Sequence, residues 1–95
     1  MNTADGDILL TRASLAADAI ALGRALLDAD PDEARFRTHL VMRQAIEAGL
    51  DDVAHATRGI AWLLKDRATT AVPGIGRALL SLSDAIEAAG GSSDV

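Results

Sequence analysis

The chain has 95 residues, enough for one domain with a single core but too few for a deep catalytic cleft without oligomerisation. Its net charge is −5, and nine basic side chains scattered among fourteen acids leave no footprint for nucleic acid and no basic amphipathic membrane helix. There is no cysteine, which excludes disulfides and thiolate metal sites, and no apolar run long enough to span a bilayer.

The chain opens on MNTADGD, which is acidic and polar. A secretory signal would set a basic flank before an apolar run, so the cytoplasm is the expected compartment. The first helix is predicted over about Asp7 to Asp28. Ile8, Leu15, Ala19, Leu22 and Leu26 make one apolar stripe, and Leu9, Ala16, Ile20 and Leu27 lie beside it. That breadth is expected of a helix packed on two neighbours.

The stretch DADPDEARF is the clearest punctuation. Asp30 suits the cap, Pro31 the first helical position, and Glu33 stands three residues after the cap. The second helix is predicted to run to about Ala48, with Phe36, Leu40, Val41 and Ala45 inward, and to stop at Gly49. Asp51 is expected to cap the third helix, whose stripe is Val53, Ala56, Ile60, Leu63 and Leu64. Its pattern fades around DRATTAVPG. Pro73 is expected to open the fourth helix, with Ile75, Leu79, Leu82 and Ile86 inward and Gly90 and Gly91 at its end.

No segment alternates with the period of a strand, and only Phe36 and Trp62 are aromatic. The core must come from Leu, Ile, Val and Ala, and Ala lets helices approach closely. The predicted fold is all-α: an antiparallel four-helix bundle in one domain over residues 1–95. About 7–89 are expected to be ordered, with 1–6 and 90–95 as flexible tails.

Chemistry concentrates at AHATRGIA, residues 54–61. His55, Arg58 and Gly59 share one face of the third helix, and Trp62 continues the line. The stripe of Val53, Ala56, Ile60 and Leu63 faces away, so His55 is expected to be exposed near the middle of the molecular surface. Neutral imidazole is a competent nucleophile near neutral pH. An adjacent Arg disfavours the protonated ring and pairs with a phosphoryl group carried on it. Gly within a helix costs about 1 kcal/mol relative to Ala, and room beside His55 is a reason to accept that cost.

The stretch resembles the phosphoacceptor motif of histidine-containing phosphotransfer (HPt) domains. In that family a helical His is followed by Lys or Arg at the third position and Gly at the fourth. The preceding AIEAGLDDVAH is similar to the family's approach to the motif. The resemblance covers about twenty residues, with agreement in helix count, size and acidity beyond them. Thr57 stands where a large apolar residue is usual, and Ile60 where a small one is. The run from Gly49 to His55 is about one turn short, and the link to the last helix is long.

The resemblance implies a four-helix bundle in a two-component phosphorelay. His55 would be the phosphoacceptor, Arg58 its charge partner and Gly59 the clearance. The partners would be a response-regulator receiver domain or a histidine kinase. Mg²⁺ would belong to the receiver, so no cofactor is implied, and the chain would be a phosphocarrier rather than a true enzyme.

A different class fits the same composition: a non-catalytic helical adaptor or regulator acting through helix–helix contacts, possible as a homodimer. Trp62 suits a partner-docking residue as well as a core residue. His39 reads as a structural, partly buried histidine. His39 and His55 with Asp51 or Asp52 show no diagnostic metal spacing. The acids at 28–33 read as caps, Ser81 and Ser83 have no base at a readable spacing, and PGIG is too short for a phosphate loop.

Overall fold

The computed structural model describes residues 3–91, with side chains described for 12–89. Four helices follow in order: α1 Thr3–Leu27, α2 Pro31–Ala48, α3 Asp51–Leu64 and α4 Ile75–Gly91. Each packs on its neighbour in sequence, and α4 closes back on α1. Among the described residues there is no strand. The chain is an all-α four-helix bundle. Of the expected stripe and flank on α1, Ile8 and Leu9 lie outside the described side chains, and so do the tail residues 1–2 and 92–95.

The corners explain the short connections. After α1 the amide of Asp30 donates to the Ala25 carbonyl at 3.0 Å and that of Ala29 to Leu26 at 3.3 Å. After α2 the amide of Leu50 donates to Ala45 at 2.9 Å and that of Gly49 to Ile46 at 3.2 Å. Both are Schellman closures, which need a left-handed residue just past the helix. Gly49 takes it at φ 72° without a Cβ penalty, whereas Ala29 takes it at φ 57°.

Asp30 caps α2 through its carboxylate, which accepts from the Glu33 amide at 3.1 Å, and Pro31 follows at the first helical position. The predicted cap of α3 is corrected: the N-cap is Leu50, with no side-chain hydrogen bond, and Asp51 is the first helical residue. There, and at Asp52, a carboxylate still stabilises the helix dipole. Pro73 does not open α4 either. Pro73 and Gly74 are the central residues of a turn in which the Ile75 amide donates to the Val72 carbonyl at 3.0 Å. Gly74 at φ 89° supplies the positive φ that a type II turn requires, and α4 starts at Ile75.

The core joins Leu15, Leu22, Val41, Val53, Ile60 and Leu82, all at most 1% exposed. Burying such a side chain contributes about 1.5–3 kcal/mol. On α2 the inward residues are Ala34, Thr38, Val41 and Ala45. Phe36, expected inward, is corrected: it is 54% exposed, because two residues from Ala34 is more than half a turn. Leu40 is half-buried. The small inward residues of α2 bring its backbone close to α1 and α3. Thr38 donates its hydroxyl to the Ala34 carbonyl at 2.7 Å, so burial leaves it satisfied.

Two polar links fix the register. Asp18 on α1 accepts from Arg37 at 3.0 Å and from Gln44 at 2.7 Å on α2. Arg37 also donates to Glu33 at 2.7 Å. That bond to Glu33 raises the Arg37 guanidinium above its ordinary value; desolvation opposes the rise and Asp18 adds to it. Arg35 bonds the carbonyls of Leu64 at 3.2 Å and Arg67 at 2.8 Å, stapling the end of α3 to the start of α2. Further along the connector, Thr70 donates its hydroxyl to the Leu26 carbonyl at 2.8 Å, and Val72 is buried.

Candidate functional site

α3 begins abruptly after the Gly49 corner, so His55 is the fifth residue of a 14-residue helix. It lies in the second turn of that helix. The buried residues of α3 are Val53, Ala54, Thr57, Ile60 and Leu64. Ala56 and Leu63, expected in the stripe, are half-buried at its margin. The core side of α3 is therefore turned slightly from the predicted one, towards Ala54 and Thr57. His55 and Trp62 fall opposite it.

His55, Arg58 and Gly59 are all exposed and adjoin one another within one turn. A Cβ built on Gly59 meets nothing within 4 Å, so no packing in the bundle requires glycine there. The space over Gly59 is open to a group approaching from outside. Among the described residues Arg58 takes part in no ion pair, so its guanidinium is available to an anion held by the His55 ring. Asp51, one turn before His55 and exposed, puts a carboxylate on the same face.

Trp62 is 73% exposed, in line with His55, and the Lys65 ammonium sits 5.6 Å from the centre of its ring. Thr57 and Ile60, where the chain departs from the resembled motif, are both fully buried. Thr57 donates its hydroxyl to the Val53 carbonyl at 2.6 Å. Both departures belong to the core and leave the exposed face untouched. The burial of Thr57 was missed because a hydroxyl that bonds its own helix reads in sequence as a surface group.

His39 is corrected from partly buried to exposed. It stands in the wall of a hollow between α2 and the end of α3, with Arg35, Met42, Ala61, Lys65 and Arg67. The hollow had no sequence signal, since its walls meet only once the helices pack. His55 does not line it, so the two histidines are not brought together. Among the described residues no group of three or more His, Cys, Asp or Glu is placed to hold a metal ion, and no helix is long and apolar enough to cross a membrane. Comparison with protein-family models, curated proteins and solved structures finds no match for this chain.

Proposed function

We propose that the chain is a histidine phosphotransfer module that relays phosphoryl groups between receiver domains. The observation that carries this reading is the exposed triplet on α3: an imidazole, a free guanidinium one turn along, and open space over Gly59. The lone pair of a neutral His55 ring nitrogen attacks the phosphorus of an aspartyl phosphate. A P–N bond forms as the P–O bond to the carboxylate breaks, and the other ring nitrogen keeps its proton. Arg58 holds the phosphoryl oxygens. The bundle supplies a rigid helix, and the receiver supplies its own Mg²⁺.

Incubation with phosphoramidate followed by intact mass tests it. One acid-labile phosphate on the wild type and none on His55→Gln is the expected result. An unmodified, folded wild type sinks the proposal.

The reading of a non-catalytic helical adaptor has its own observation. Ile20, Leu27 and Leu80 are 66%, 88% and 67% exposed on α1 and α4. Ile20 also lines a hollow of about 380 Å³, with Ala16, Gly23, Leu79 and Ile86 among others. Uncovered apolar side chains around a groove mark contact surfaces. A homodimer by sedimentation velocity, dissociated by Ile20→Ser with Leu80→Ser, would favour this reading.

A further inference from the structure

The hollow between α2 and the end of α3 has a volume of about 810 Å³, roughly twice that of the α1–α4 hollow. Pockets of ~300–1,000 Å³ hold small organic ligands. Its apolar surface comes from Pro31, Met42, Ala61 and Ala68. Its charges are unequal in availability. Asp32 and Arg35 are paired with each other. Lys65 and Arg67 take part in no ion pair among the described residues, and Asp66 is the one acid of the lining left unpaired. His39 adds an imidazole ring to the wall.

The cations are mounted on fixed backbone. Arg35 holds the Arg67 carbonyl at 2.8 Å and the Leu64 carbonyl at 3.2 Å. Asp66 sits between them at φ 57°, a left-handed conformation that Asp adopts more readily than most residues. Lys65 and Arg67 therefore flank the hollow from a fixed turn, and binding an anion there orders little new chain.

We propose that this hollow binds a small organic anion: an apolar body lying over Met42 and Ala61, with one sulfonate, phosphate or carboxylate head between Lys65 and Arg67. A bare inorganic anion satisfies the cations but leaves the apolar walls wet. A neutral apolar body leaves the cations unused. The class that uses both is amphipathic and anionic. The proposal does not rest on phosphotransfer at His55, which lies outside the hollow.

Trp62 is the only tryptophan and lies under Lys65, so it reports on the site. The probes are anilinonaphthalene sulfonate, phenylnaphthylamine (the same kind of body without the head) and inorganic sulfate (a head without a body). The sulfonate dye is expected to bind saturably, with energy transfer from Trp62, at least about tenfold more tightly than either other probe. Lys65→Gln with Arg67→Gln should remove that advantage, and Lys65→Arg with Arg67→Lys should keep it. These side chains are exposed, and circular dichroism confirms that each variant is folded. Ile20→Ser with Leu80→Ser, on the other side of the bundle, should leave the tenfold advantage of the sulfonate dye unchanged. Equal binding of charged and neutral dyes, sulfate binding as tightly as the dye, or dye binding that survives Lys65→Gln with Arg67→Gln would overturn the proposal. So would the absence of saturable binding.

Discussion

The α2–α3 hairpin and the α1–α4 pair solve the same problem differently. Residues 31–67 carry six basic and six acidic side chains, both histidines and both aromatic residues. The rest of the chain has three basic side chains against eight acids, so the whole net charge of −5 lies outside the hairpin. The hairpin is joined by a two-residue link, Gly49 and Leu50, and is locked at its far end by Arg35. The α1–α4 contact leaves Ile20 and Leu80 mostly exposed. The lesson is a division of labour: one half of the bundle holds the rigid polar face where chemistry is proposed, and the other keeps apolar surface uncovered.

Substitutions on the two sides should separate them. The largest effect is expected at the shared core. Ile60→Ala should lower unfolding stability by about 2–5 kcal/mol in a urea titration, since it empties a fully buried site on the inner side of α3. A loss below 1 kcal/mol would mean that α3 is less tightly seated than its burial implies. Next is the link between the halves. Asp18→Ala removes the acceptor of Arg37 and Gln44 and should cost about 1–3 kcal/mol. The loss should persist at high salt if hydrogen bonding rather than charge dominates. The Arg37 contribution has a fixed sign: its guanidinium is raised when folded, so the stability it adds is lost as pH rises above the ordinary arginine range.

The corners provide the next pair. Gly49→Ala should destabilise by about 1 kcal/mol and Ala29→Gly should stabilise by a similar amount, because both positions are left-handed and only one already has glycine. Thermal melts of the two variants moving in the same direction would contradict the shared motif. Gly59→Ala should raise stability by up to about 1 kcal/mol, since a Cβ there meets nothing. The same variant should accept phosphate from phosphoramidate normally but more slowly from a receiver domain, whose bulk needs the cleared space. The smallest effect is expected at Asp51→Asn. Removing a like charge one turn from a phosphorylated His55 is worth ~0.2–0.5 kcal/mol, about a twofold rise in phosphohistidine at equilibrium.

The helices were legible because their punctuation is chemical. Asp30, Pro31, Glu33 and Gly49 act where their side chains or φ preferences require. What misled was residue class at the margins. Phe36 is large and apolar, yet Ala34 and Thr38 occupy the inward positions beside it, so spacing outranked hydrophobicity. Ile20 and Leu27 extended the apolar stripe of α1 onto a flank that no helix covers. The arrangement around His55 was readable, because three residues within one turn define a face whatever the tertiary fold. The hollow beside His39 was not, because the Leu64 and Arg67 carbonyls are fastened to α2 by Arg35, some thirty residues away in sequence.

The α3–α4 connector has a consequence for proteolysis. Residues 65–74 look in sequence like the natural place for a protease to cut. Arg35 clamps the segment at Arg67, and Thr70 fastens it to the Leu26 carbonyl, ahead of the buried Val72. Only Ala68 and Thr69 lie between those two anchors, and a protease needs a far longer stretch of pliable chain than that. The longest link in the bundle should therefore resist nicking in the native state, and Arg35→Ala should turn it into the first site of cleavage.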